Sequence, residues 1–297
     1  MHGALVTDKR FDDAHWLVDK MYRTFLDSAE FIRAETAATD KMVCELTSMP
    51  QPSDQVEGEN SSGYNARIGS SGNYARIGSC GNYTRIGSSG YNARIGSSGY
   101  NARIGSSGDD AQIGSSGNYA RIGSSGDDAR IGSSGYNARI GSSGDDARIG
   151  SSGYNARIGS SGNYARIGSS GYNAQIGSSG DDARIGSSGD DAQIGSSGNY
   201  ARIGSSGDDA RIGSSGYNAR IGSSGDDARI SASGAGSVVA CAGSIQRVVL
   251  GDGGCVAVPW YDGERTRFAV AYVGENGIEA NTPYYLNDEG QFVKIEE

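Results

Sequence analysis

The 297 residues carry 26 Lys and Arg against 35 Asp and Glu, a formal charge of −9, with 36% hydrophobic and 21% charged side chains. That balance excludes a transmembrane chain and a highly charged disordered one. Glycine is the outlier: 49 glycines beside 4 prolines and 2 histidines exclude collagen and argue against a histidine-built metal or catalytic centre.

In chain order, the first segment carries Asp8, Lys9, Arg10, Asp12 and Asp13 without an apolar run, so no secretory signal is expected and the cytoplasm of a host cell is the expected location. Cys44, Cys80, Cys241 and Cys255 form no CxxC pair, in keeping with free thiols in a reducing compartment. Residues 8–46 read as helix, because Phe11, Val18, Phe25 and Ile32 recur every seven residues with Ala14 and Met21 between them, which paints one face apolar. Such a stripe either caps the open end of the repeats downstream or serves oligomerisation and docking. Pro50 and Pro52 end the helix, and the expected division is 1–50 helical, 51–60 acidic linker, 61–258 repeats and 259–297 a small β-meander.

From Ser61 to Ser231 the chain repeats Ser-Ser-Gly-x-x-Ala-Arg-Ile-Gly, nineteen copies of nine residues. A nonamer cannot bury a face alone, but stacked copies share ladder hydrogen bonds about 4.8 Å apart and pool a core. The expected fold is therefore mainly β, a β-solenoid of the β-helix or β-roll kind. Strand alternation turns Ala66, Ile68 and Ser70 inward and Arg67, Gly69 and Ser71 outward, while the glycines at positions three and nine are expected to make the corners. The variable dipeptide sets the winding. Odd copies one to thirteen hold only Tyr-Asn or Asn-Tyr, and even copies six, eight and ten hold Asp-Asp. After copy fourteen the pattern inverts, with Asp-Asp at fifteen, seventeen and nineteen and tyrosine at sixteen and eighteen. Two units per turn would place these classes on opposite edges.

Sixteen arginines and seven Asp-Asp pairs leave the repeats at about +2, so the negative charge lies in the flanks and nucleic-acid mimicry loses support. Asp109, Asp110, Asp127, Asp128, Asp145 and Asp146 would stack on one edge, where each like-charge contact costs about 1 kcal/mol. Arg130 and Arg148 are the expected neutralisers. The alternative is Ca²⁺, since Gly-x-x-Gly-x-Asp resembles part of the calcium-binding nonapeptide of secreted bacterial β-rolls; Arg130 falls where that family has a large apolar residue, and no bound cofactor or metal is assigned. Tyr136, Arg139, Tyr154 and Arg157 interleave as in surfaces that bind polyanions or stack on bases.

Beyond Ser231 the nine-residue phase is expected to continue to Val258, with Val239 and Val248 in the isoleucine slot and Cys241 and Leu250 in the inward serine slot. The runs 267–273, 282–286 and 291–295 then alternate as strands. These repeats, the Gly-Ser-Val-Val-Ala at 236–240 and the tail AYVGENGIEANTPYYLNDEGQFVKIEE resemble a group of uncharacterised phage and gut-bacterial nonapeptide-repeat proteins with a closing β-meander. The resemblance covers about the last four-fifths of the chain and implies a mobile-element origin.

No catalytic residues are assigned, because His2 and His15 are the only histidines and no Walker, dinucleotide or metal-knuckle spacing is present. The leading expectation is a non-enzymatic rod that docks on a host protein or nucleoprotein complex and blocks it, such as a nucleic-acid-processing or defence enzyme. The stacked aspartates, Arg130, Arg148 and the Tyr136–Arg157 group are the candidate binding residues, and Phe11, Val18, Phe25 and Ile32 the candidate oligomerisation residues. A spacer or fibre segment and direct polyanion or glycan binding are the alternatives; no membrane partner is expected, and direct nucleic-acid contact is the lesser reading.

Overall fold

The computed structural model describes residues 60–296. The stripe of Phe11, Val18, Phe25 and Ile32 and the linker as far as residue 59 lie outside the described residues. Each nonamer contributes one four-residue strand, from β1 (Arg67–Ser70) to β18 (Arg220–Ser223), and the next strand is β19 (Ala228–Ala232). The β-branched isoleucine favours extension, and the Ser-Gly-x-x after each strand bends the chain.

Odd strands pair in parallel with odd and even with even: Ile68 lies against Ile86, and Ile77 against Ile95. One turn is thus two nonamers. The corners are laddered as well, the amide of Asp128 donating to the carbonyl of Asp145 at 2.9 Å. Between the two sheets, Ile68 to Ile230 are 2–4% exposed and the alanines from Ala75 to Ala228 at most 1%. Each isoleucine so buried contributes about 1.5–3 kcal/mol relative to exposure, so the interior is the isoleucine stack, flanked by alanine and serine, that alternation requires. Alanine and serine keep it thin.

The two glycine ladders do different work, and the expectation that both make corners is corrected. At position three the turns nearly touch: a Cβ on Gly144 would lie 2.1 Å from the carbonyl oxygen of Gly126, so only hydrogen fits. At position nine the glycine lies mid-strand and faces out, and a Cβ on Gly141 would meet nothing within 4 Å. The left-handed backbone that corners need falls on position five instead, at Asn65 (φ 59°), Asp128 (φ 55°) and Tyr119 (φ 59°) among others. Asn and Asp tolerate this conformation, whereas tyrosine there costs about 1–2 kcal/mol.

The closing rungs are β20 (Val238–Cys241), β21 (Ile245–Leu250) and β22 (Cys255–Tyr261). Val239 pairs with Ile221, Cys241 with Ser223, Val248 with Ile230 and Leu250 with Ala232, so apolar groups take over the serine line as the rod ends. Burial pushes the Cys241 thiol up to about 12, which keeps it protonated and chemically quiet. The nine-residue phase does not hold to Val258: Val256, and not Ala257, pairs with Val239, because the corner from Gly251 to Gly254 is one residue short.

The tail also departs from a separate meander. β23 (Thr266–Tyr272) adds antiparallel to β22, whereas β24 (Pro283–Leu286) adds to β21 and β25 (Phe292–Lys294) to β24. Both sheets therefore end on antiparallel strands, where the parallel stacking of the repeats stops. Among the described residues no helix is long and apolar enough to cross a membrane.

Candidate functional site

Alternation leaves two residues per strand facing out, arginine or glutamine at position seven and glycine at position nine. Stacking converts them into straight ladders with a step of about 4.8 Å. The odd face bears Arg67, Arg85, Arg103, Arg121, Arg139 and Arg157 in register, then Gln175 and Gln193. Beside them the bare glycines form the floor of a trough of about 1380 Å³ that runs from Arg67 to Arg211. A second trough, of about 790 Å³, runs along the even face from Arg76 to Arg166.

Glycine in a strand interior weakens it by roughly 0.5–1 kcal/mol relative to alanine, and here no packing demands it. Such a position suits close approach by another molecule. The arginines point the same way: among the described residues, only Arg229 of the sixteen in the repeats has a hydrogen-bond partner for its side chain, Gln246 Oε1 at 2.7 Å, and the ion pairs are Arg267–Asp262 and Lys294–Glu279, both in the tail. Cations aligned at this spacing repel one another, and an external anion relieves that repulsion.

The expectation that Arg130 and Arg148 neutralise the aspartate stack is therefore corrected. Both lie on the even face, in register with each other, and neither is paired with a carboxylate. The backbone does the work instead. Asp109 Oδ1 accepts from the Asp127 amide at 3.0 Å, Asp127 Oδ1 from the Asp145 amide at 2.9 Å, and Asp145 Oδ1 from the Asn163 amide at 2.7 Å. The first aspartate of each pair thus ties one turn to the next, and the second, Asp110, Asp128 or Asp146, occupies the left-handed corner. Asn118 bonds the Tyr136 amide in the same way at 2.9 Å, so the acceptor matters and its charge does not. Asp127→Asn, which keeps the acceptor and removes a like charge, is expected to melt at or above the wild-type temperature; Asp127→Ala should cost about 1–2 kcal/mol. Thermal melts of the two variants check this. Among the described residues no three His, Cys, Asp or Glu side chains gather as metal ligands.

The corners carry the remaining chemistry. On the odd edge Tyr64, Tyr83, Tyr100, Tyr119, Tyr136, Tyr154 and Tyr172 succeed one another, 41–68% exposed, with ring centroids 5.2–6.3 Å apart at five of the six steps. Tyr136 and Tyr154 lie nearly parallel, at 10° and 5.3 Å. The even edge is mixed: Tyr74 and Tyr91 come first, then the three aspartate pairs, then Tyr164, Asp181 and Asp182, and finally Tyr200 and Tyr217. Where tyrosine gives way to aspartate, the Tyr91 hydroxyl bonds Asp110 and the Tyr172 hydroxyl bonds Asp191, and both phenols are held above their usual range by that carboxylate.

Of the residues singled out from sequence, Tyr136, Tyr154, Arg139 and Arg157 are brought together on the odd side, and the six stacked aspartates with Arg130 and Arg148 on the other. What sequence reading missed is the glycine-floored trough. Its signal is the outward phase of position nine.

No protein-family model matches the chain, and no solved structure matches it. Among curated proteins it is similar to the uncharacterized protein YdhT of Escherichia coli (strain K12), 53% identical over 47 residues. That stretch covers 16% of this chain and 17% of YdhT.

Proposed function

We propose that the chain is a non-catalytic binding rod whose arginine ladders take up extended anionic polymers. The observation that carries this is the straight row of arginines without internal counter-ions, set beside a glycine floor that lets a polymer lie close to the sheet. Binding of this kind releases condensed counter-ions, so affinity falls linearly in log salt. The test is titration of the full chain with heparin at graded salt. The variant Arg121→Gln, Arg139→Gln, Arg157→Gln uses the residue that already occupies the slot at Gln175 and Gln193, and it should flatten the slope by about 2, given roughly 0.7 per contact. Absent or salt-insensitive binding overturns the reading.

A second reading, that a rod of mobile-element origin docks on a host protein and blocks it, draws on a different surface. Phe268 (63% exposed), Val270 and Tyr272 (50% each) and Val238 (45%) form an apolar patch where the even face ends. Depletion of charge with aromatic enrichment is the composition of a protein interface core.

A further inference from the structure

We infer that the odd edge over its first seven turns is a strip for single-stranded nucleic acid, an inference that rests on the polyanion reading and narrows it. Two independent features of the sequence overlap there, arginine over six turns and tyrosine over seven. Arginine fills position seven at Arg67, Arg85, Arg103, Arg121, Arg139 and Arg157, and gives way to Gln175 and Gln193. Tyrosine fills the corner of those six copies and of the next, at Tyr172 beside Gln175, and then gives way to Asp190 and Asp191. None of these seven odd copies contains a carboxylate.

The two rows belong to one surface. A groove of about 420 Å³ joins them, with Asn137, Asn155 and Asn173 on its corner side and Arg121, Arg139 and Arg157 on its sheet side. Charge to track a phosphate backbone, beside exposed rings on which bases stack, is the combination that sequence-tolerant single-strand binders use. The rings demand a single strand, since in a duplex the base faces are already stacked on one another. Six steps of about 4.8 Å give a strip of roughly 29 Å, on the scale of the roughly 4–16 nucleotides that one such module engages.

Tyr83 and Tyr119 strengthen the case. Both lie in the left-handed corner, at φ 59° each, a conformation that the asparagine found there in other copies adopts with less strain. Both rings are nonetheless exposed, 44% and 46%. Each ring touches neighbouring tyrosines, Tyr83 at 5.4 and 6.1 Å and Tyr119 at 5.2 Å, yet keeps a large open surface for an external partner. In the middle turns of the same stretch, Asp109, Asp127 and Asp145 interrupt the tyrosines of the opposite edge and would repel phosphate, so one strand binds along one side.

The test is fluorescence anisotropy of the full chain with a labelled 12-nucleotide oligothymidylate, the same length of duplex, and heparin. Tyr100→Asn, Tyr136→Asn, Tyr154→Asn places at those corners the residue that already holds the position in Asn82 and Asn118, and circular dichroism melting checks that the rod persists. Expected are preference for the single strand over the duplex, at least a tenfold loss of oligothymidylate affinity in the triple variant, and unchanged heparin binding. The even-edge variant Tyr91→Asn, Tyr217→Asn should bind oligothymidylate like the wild type. If heparin binds but the tyrosine variant keeps its oligothymidylate affinity, or duplex binds as tightly as single strand, this inference falls and the polyanion reading stands. If neither polymer binds, both fall.

Discussion

Gly144→Ala is expected to break the rod locally, and Gly141→Ala, three residues earlier, to leave it intact. The side chain added at position 144 would lie 2.1 Å from the Gly126 carbonyl oxygen and 2.5 Å from its carbon. Neither turn can yield, because the flanking residues are fixed by bonds such as Asp128 amide to Asp145 carbonyl, 2.9 Å, and Arg148 amide to Ala129 carbonyl, 2.8 Å. Overpacking usually costs about 1–3 kcal/mol, and a methyl driven into backbone belongs at or above the top of that range. At position 141 the methyl enters open space on the outer face, and replacing a strand glycine should add about 0.5 kcal/mol of stability. Chemical denaturation of the two variants checks the contrast. Equal stabilities would mean that the turns are not packed as described. The same Gly141→Ala change raises the trough floor, so its polymer affinity should fall while its stability rises.

Ile140→Asp should be more damaging still. Ile140 is 4% exposed and lies in register between Ile122 and Ile158. Removing such a side chain to alanine costs about 2–5 kcal/mol, and a carboxylate placed there has no cation within the core and would have to be buried protonated or drag water in. A loss of about 5 kcal/mol or more is expected. Because each turn contacts only its neighbours, the damage should divide the rod into two separately melting parts rather than unfold it uniformly. Calorimetry reads this directly: a single unshifted transition would show that isoleucine does not line the axis. Ile140→Val, which keeps the shape, should cost only about 1 kcal/mol.

Much of the architecture was legible because it depends on spacing alone. The alternation of Ala66, Ile68 and Ser70 against Arg67 and Gly69 predicts the two faces, and the segregation of tyrosine from Asp-Asp in alternate copies predicts the pairing of Ile68 with Ile86 rather than Ile77. What spacing does not carry is contact across turns. The bond from the Asp127 amide to Asp109 Oδ1 spans eighteen residues, so the aspartates read as a charge problem in want of arginine when they are backbone acceptors. Glycine misled for a related reason. Its habit of making turns concealed that one ladder answers to a neighbouring carbonyl and the other to nothing in the fold. The slip at Val256 arises from one missing corner residue, which no periodicity can announce. The arginine trough was half visible: the outward phase of Arg139 and Arg157 comes from alternation, but their lack of partners is a property of three dimensions.

The pairing of two nonamers per turn gives the rod a parity. Copies fourteen and fifteen, both Asp-Asp, are neighbours in sequence and therefore stand on opposite sides. Excision of Ser187 to Gly195, one nonamer, would screw everything downstream through half a revolution and hand Tyr200 and Tyr217 to the side that already carries Tyr64 to Tyr172. The aromatic row would then extend without interruption to the last repeats, and the acidic corners would all collect opposite it. Excision of two nonamers would shorten the molecule and transpose nothing. Gene-level gain or loss of single repeats is thus a switch of handed surface chemistry, while paired changes adjust only length.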